Sequence, residues 1–153
     1  ALLEPLPGVH SVTSRYMGGK IDDPGYKAVI TGLTGHAETV RVVFDPSKIT
    51  YETLARAFFE IHDPTQKDRQ GPDVGNQYRS AVFVTDSEQE RLIHKLIGEL
   101  SKKGFKVVTE IQPATAFWPA EDYHQDFYFL NKRRNGYCRF VIQPKLLQLK
   151  LKD

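Results

Sequence analysis

The sequence predicts an α+β fold, a two-layer sandwich in which helices cover a mixed or antiparallel sheet. Runs of β-branched and apolar residues alternate with segments whose apolar residues recur every three or four positions, a pattern typical of strands followed by amphipathic helices. The connections are short except at residues 62–80, and no repeat or low-complexity tract marks a second domain. We therefore expect residues 1–153 to form a single domain.

The first half of the chain contains two predicted strands and one predicted helix. Residues 12–16 form a candidate strand, which residues 17–19 (MGG) end as a turn. The stretch TVRVVF at 39–44 is β-branched and stops at the turn signal 45–47 (DPS), so it predicts a second strand. Residues 50–61 carry apolar side chains at spacings of three and four and predict a helix.

The second half contains a predicted strand, a predicted helix and a further predicted strand, in that order. Residues 81–85 (AVFVT) predict a strand, and Ser87 with Glu90 matches the capping-box pattern that starts a helix. A third strand is predicted at residues 105–111, because this run is apolar and β-branched and Pro113 stops it. Helices of these lengths are long enough to cover one face of a sheet.

Composition argues against several classes of protein. The net charge is +2 and the basic residues do not form one long run, so nucleic acid is not an expected partner. No apolar run approaches the roughly 20 residues of a membrane span, so no membrane association is expected. The single cysteine, Cys138, permits neither an intramolecular disulfide nor a cysteine-based metal cluster.

Three polar residues outside the predicted core are candidates for chemistry. Glu38 stands at the start of the strand TVRVVF; it is either a solvated carboxylate or, in a closed apolar site, a general acid whose pKa is raised by burial. Tyr26 and Tyr78 are flanked by loop residues. They are either packed rings with surface hydroxyls or hydrogen-bond donors to an oxygen that gains charge.

The loop at residues 62–80 and Cys138 each allow two interpretations. A polar loop of this length is usually functional or disordered, and its Asp73 either forms a turn or orients a neighbouring tyrosine. Cys138 is either a small buried apolar residue or a reactive thiol. Arg133, Arg134 and Arg139 are close enough in sequence to lower its pKa in the second case.

The histidines raise the question of a metal site. Three short-range pairs could each supply two ligands: His36 with Glu38, His62 with Asp63, and Glu121 with His124. Because separate pairs would have to converge, we expect no metal site, and we expect histidines that hydrogen-bond loop carbonyls.

Four stretches of the chain resemble the peptide methionine sulfoxide reductase A family. They are YMGGKIDDPGY, TGLTGHAETVRVVFDPSKITYETL, FFEIHDPTQKDRQGPDVGNQYRSAVF and PAEDYHQ, in the family's order and spacing, and they cover about residues 7–130. The resemblance implies the family's fold with a ferredoxin-like core. It also implies a cytoplasmic, thiol-dependent reduction of methionine (S)-sulfoxide, free or in proteins, that repairs oxidative damage. No bound cofactor is implied, and thioredoxin or another dithiol would be the reductant.

The same resemblance implies roles for individual residues. In the family a cysteine thiolate attacks the sulfoxide sulfur and becomes a sulfenic acid, which a second thiol then reduces. By the family pattern Glu38 supplies the proton, Tyr26 and Tyr78 hold the oxygen, and Asp73 shapes the site. Cys138 lies in NGYC, which resembles a recycling-cysteine motif, and is a candidate for the second thiol.

The family's nucleophile is missing from the sequence as given. It belongs to a Gly-Cys-Phe-Trp motif before the stretch that corresponds here to ALLEPLPGV. Because the first residue is Ala1 and not Met, we expect this segment to lie upstream and the enzyme to be active only when its cysteine is present. The alternative is a catalytically inactive relative that binds methionine sulfoxide or oxidised protein.

Overall fold

The computed structural model describes residues 2–126, 130–131 and 135–145. In chain order the elements are β1 (Val9–Met17), α1 (Tyr26–Val29), β2 (Ala37–Phe44), α2 (Tyr51–Ile61), β3 (Arg69–Gln70), β4 (Asp73–Val74), β5 (Ala81–Val84), α3 (Ser87–Lys102), β6 (Glu110–Pro113) and β7 (Trp118–Pro119). Single 3₁₀ turns occupy Asn76–Tyr78 and Asp122–His124, and Cys138–Ile142 is π-helical. Among these residues no helix combines the length and the apolar character needed to cross a bilayer.

The sheets contain both kinds of strand pairing. Strands β2, β1 and β7 form an antiparallel sheet in that order, and β3 pairs with β4 as an antiparallel hairpin. Strands β5 and β6 are parallel, as expected for strands that a helix connects. The register of β1 and β2 sets Tyr16 opposite Glu38, so these two side chains lie on the same face.

Helices α2 and α3 cover the β5–β6 sheet. Their apolar faces meet in a buried cluster that includes Phe59 from α2, Ile93 and Leu96 from α3, and Val84 from β5. A second buried cluster joins Tyr16, Val29 and Ala120 beneath the loops around Tyr26. The predicted α+β class with helices packed on a sheet is confirmed.

Each of the longer helices begins at a side-chain cap. At α2 the hydroxyl of Thr50 accepts a hydrogen bond from the Thr53 N–H at 3.1 Å, as the sequence predicts. At α3 the cap is Asp86, whose carboxylate accepts from the Gln89 N–H at 2.8 Å. The helix begins at Ser87 as predicted, but the capping-box prediction is wrong by one position, because the side-chain cap is Asp86 and not Ser87.

The strand predicted at residues 105–111 was placed too early. The observed strand is Glu110–Pro113. The residues before it lie against the loop after α2. The Val108 N–H donates to the Pro64 carbonyl at 2.8 Å, which satisfies the backbone outside a ladder. Tertiary contact here overrides the β-propensity of the apolar run.

Candidate active site

The long polar segment at residues 62–80 is folded. Strands β3 and β4 form a hairpin within it. The Gly75 N–H donates to the Asp68 carbonyl at 2.9 Å, which joins the residues that flank the two strands. Gly75 has a φ of +143°, and a Cβ there would overlap the side chain of Gln77. A glycine is required at this position because of both the backbone angle and the space. Of the two interpretations of this loop, the disordered one is excluded.

The segment is tied to the loop that precedes β2. The Asn76 side-chain amide donates to the Gly32 carbonyl at 2.9 Å, and the Arg79 guanidinium donates to the Gly35 carbonyl at 3.1 Å. Both contacts flank Tyr78 in sequence. They hold this tyrosine beside the start of β2, where Glu38 lies.

Glu38 is a carboxyl poised to titrate near neutral pH. Glu38 is an exposed residue by its accessible surface, yet enough protein surrounds the carboxyl that its pKa rises to about 7. Burial is the larger cause of this rise, and the nearby charge of Asp73 is the second. At neutral pH a substantial fraction of Glu38 therefore carries a proton that it can donate.

The structure brings the four residues of the predicted site together. Burial raises the pKa of the Tyr78 phenol, and the charges of Glu38, Tyr26 and Asp73 raise it further. Electrostatic coupling of this kind requires the groups to be neighbours. Tyr78 consequently remains a protonated hydrogen-bond donor at neutral pH, next to the acid.

Glu121 fixes the position of Tyr26. Its Oε1 atom accepts a hydrogen bond from the Tyr26 N–H at 2.6 Å, and its Oε2 atom accepts from the Tyr16 hydroxyl at 2.9 Å. The Tyr26 ring also meets the Tyr123 ring edge-on, with centroids 6.4 Å apart. Burial and the hydrogen bond to Glu121 raise the pKa of Tyr16, so that its hydroxyl stays a donor.

Sequence reasoning missed the supporting roles of Tyr16, Glu121 and Tyr137. The Tyr137 hydroxyl donates to Asp73 Oδ2 at 2.8 Å, across 64 positions of sequence. The local signal for Glu121 was an acid in the PAEDYHQ stretch, where only a metal-ligand role was considered. For Tyr137 the only signal was its place beside Cys138.

Two histidines of the candidate metal-ligand pairs, His36 and His62, have structural roles. His36 is buried; its Nδ1 accepts from the Gly19 N–H at 3.1 Å, so its Nε2–H donates to the Ile21 carbonyl at 2.7 Å. His62 bonds the Phe58 carbonyl. The Phe58 carbonyl lies within α2, so the prediction of histidines bound to loop carbonyls is confirmed for His36 alone. Among the described side chains, no three histidine, cysteine, aspartate or glutamate residues are grouped to share a metal ion.

Cys138 is a free and fully buried thiol. Burial raises its pKa, which opposes thiolate formation. This surrounding matches the interpretation of a small buried apolar residue. Of the arginines considered as activating groups, Arg133 and Arg134 lie outside the described residues, and so does the side chain of Arg139.

Comparison with known proteins identifies the family. The sequence model described as Peptide methionine sulfoxide reductase matches residues 1–153. The chain belongs to this family. A peptide methionine sulfoxide reductase MsrA of Pasteurella multocida is 48% identical over 153 residues, which are 99% of this chain and 87% of the relative. One from Sulfolobus acidocaldarius is 50% identical over 148 residues, covering 95% and 83% of the two chains.

Solved structures of the reductase family share the fold. Mxr1 from Saccharomyces cerevisiae in reduced form is 34% identical with a TM-score of 0.79, over 86% of this chain and 76% of that one. Methionine sulfoxide reductase A of Corynebacterium diphtheriae is 35% identical with a TM-score of 0.73, over 88% and 68%. Mxr1 in complex with Trx2 is 26% identical with a TM-score of 0.54, over 74% and 64%. The family fold that the four sequence stretches imply is confirmed.

The role of Glu121 as an anchor is testable by its removal. In Glu121→Ala, the Tyr26 N–H and the Tyr16 hydroxyl lose their acceptor, and Tyr16 is buried. We expect the free energy of unfolding in urea to fall by about 1–3 kcal/mol, the cost of unsatisfied buried donors. The neighbouring exposed residue supplies the control, Asp122→Ala, for which a change within about 0.5 kcal/mol is expected. Equal losses for the two variants would contradict the anchor role.

Proposed function

We propose that this protein reduces methionine (S)-sulfoxide to methionine, free or in proteins, with thiols as the source of electrons. The observation that carries this proposal is the Glu38 carboxyl, whose pKa is about 7, next to the Tyr78 phenol in a chain of the reductase family. Overall, one sulfoxide and two thiols give one thioether, one disulfide and one water. The family's role in repair of oxidised protein follows from this reaction.

In the first step a cysteine thiolate attacks the sulfoxide sulfur. The sulfur–oxygen bond breaks, Glu38 supplies one proton, and the oxygen ends on the cysteine as a sulfenic acid while the thioether leaves. Tyr26 and Tyr78 donate hydrogen bonds to the oxygen as it gains negative charge. Asp73 supports the step because its charge helps to keep Glu38 protonated near neutral pH.

In the second step another thiol attacks the sulfenic acid, and a disulfide and water form. We propose Cys138 for this role, which requires its thiol to leave the buried position. We further propose that the attacking cysteine belongs to a Gly-Cys-Phe-Trp segment before Ala1. Cys138 is a poor candidate for the cysteine that attacks the sulfoxide, because burial of its thiol raises its pKa and opposes thiolate formation.

The disulfide is then reduced by thioredoxin or another dithiol, and no bound cofactor is needed because thiols supply both electrons. A solved relative in complex with Trx2 supports this choice of reductant. A cycle that ends in dithiol exchange requires a compartment where thiols are kept reduced, which favours the cytoplasm.

The proposed function is tested with separated sulfoxide epimers. The protein carrying its upstream segment is incubated with the S or the R form of a methionine sulfoxide peptide and dithiothreitol, and the remaining sulfoxide is measured. We expect consumption of the S form alone. If neither epimer is consumed, the reductase proposal is wrong and a protein that only binds the sulfoxide is indicated.

The acid role of Glu38 predicts a particular dependence on pH. Only the protonated carboxyl donates, so the rate of sulfoxide reduction in a single turnover should fall as pH rises through about 7. Glu38→Gln cannot donate this proton; we expect a loss of about 10²–10⁴-fold at pH 6 and no remaining transition near 7.

Glu88→Gln is the matched control for this prediction. Glu88 is a carboxylate on α3 that pairs with Arg91 at 2.6 Å, away from the predicted site. We expect its rate and pH profile to equal those of the unaltered protein. A Glu38→Gln protein that keeps the full rate with the same transition would remove Glu38 from the acid role.

A further inference from the structure

Tyr137 reaches the candidate site from the other end of the described chain. Its hydroxyl donates to Asp73 Oδ2 at 2.8 Å. Burial raises the pKa of the Tyr137 phenol, and the hydrogen bond to Asp73 with the charges of Asp73, Glu38 and Tyr78 raises it further. Tyr137 is thus a neighbour of the residues proposed to act on the sulfoxide.

The charge of Asp73 also acts on Lys145, which follows Tyr137 in the described C-terminal segment, residues 137–145. Burial lowers the pKa of Lys145, and the negative charge of Asp73 opposes that shift. The charge of Lys145 also acts on His62, at the end of α2. Within residues 137–145, Tyr137 thus contacts Asp73 directly, and Lys145 at the other end lies within range of the charge of Asp73.

The outer side of this segment contributes little apolar burial. Tyr137 is 42% exposed and Phe140 is 75% exposed, whereas Cys138 between them is 0% exposed. Segments with few buried apolar contacts open locally at a small cost in free energy. A polar contact at Asp73 can then decide how often Cys138 becomes accessible.

We propose that Tyr137 is a positioning residue. Its hydrogen bond to Asp73, here called the latch, holds residues 137–145 against the site in a closed state in which the Cys138 thiol is inaccessible to solvent. This inference rests on the proposed function, in which Cys138 is the second thiol. Because Asp73 is both the acceptor of the latch and a neighbour of Glu38, it joins the site of sulfoxide reduction to the position of the recycling thiol.

The latch is tested by the rate at which iodoacetamide alkylates Cys138. The 153-residue chain has no other cysteine, and peptide mass mapping confirms the labelled position. Tyr137→Phe keeps the ring and removes the hydroxyl. We expect alkylation to become about five- to tenfold faster, because the closed state alone loses a hydrogen bond to a charged group. Tyr51→Phe, which alters a tyrosine of α2 packed on the core, is the control and should leave the rate unchanged.

The dependence of alkylation on urea separates local opening from loss of overall stability. If a latch opens locally, the faster rate in Tyr137→Phe stays nearly constant at low urea concentrations. If the substitution merely weakens the whole fold, the rate rises steeply with urea, as global unfolding does. The second result would overturn the proposal, as would equal rates for Tyr137→Phe and the unaltered chain.

A double substitution tests whether Asp73 is the partner. We expect Asp73→Ala to accelerate alkylation by itself and Tyr137→Phe to add nothing in that background, since the interaction is already gone. Additive effects would overturn the latch. None of these measurements requires turnover, so an inactive reductase with a working latch, or an active reductase without one, would be recognised as such.

Discussion

The Glu38 carboxyl is partly shielded from water and lies within range of the charge of Asp73, and the proposed chemistry depends on this pair of carboxyls. Shielding and the neighbouring negative charge both disfavour the ionised form of Glu38, which is why its pKa rises to about 7. An ordinary solvated glutamate would carry almost no proton at neutral pH. The proposed chemistry needs that proton, so it depends first on the shielding of the Glu38 carboxyl and second on the charge of Asp73.

Two separate anchors hold the groups that surround this pair. Glu121 accepts hydrogen bonds from the Tyr26 backbone and the Tyr16 hydroxyl. It therefore joins the segment before β2 and strand β1 to the loop after β7. Asp73 accepts a hydrogen bond from the Tyr137 hydroxyl and so holds the C-terminal segment, residues 137–145, at the site. In both anchors a carboxylate accepts from a tyrosine, and such charge-assisted bonds are stronger than neutral ones. The phenols in turn remain protonated donors.

The sequence was most informative where function depends on residue type within a long motif. Glu38, Tyr26, Tyr78 and Asp73 were proposed in this way, and their mutual electrostatic influence places them near one another. The helical face of α2 also agrees with the periodicity of its residues. Period and residue type report on near neighbours in the chain, and these features depend on them.

The features that were missed depend on contacts between distant parts of the chain. Glu121 bonds Tyr16 across 105 positions, and Tyr137 bonds Asp73 across 64, so no local spacing could reveal either. The strand predicted at 105–111 was displaced by a backbone bond to Pro64. The cap of α3 was missed for a different reason: Asp86 and Ser87 are adjacent and both suit the position.

The most direct test of this account is the titration of the Glu38 carboxyl itself. Carbon-13 labelling of glutamate side chains allows each carboxyl to be followed by NMR, and the Glu38→Gln spectrum assigns the resonance. We expect a midpoint of about 7 for Glu38, moving downward in Asp73→Asn because the neighbouring charge is removed. A midpoint near the ordinary glutamate value of about 4.3 would contradict the central claim that the site keeps Glu38 protonated for proton donation.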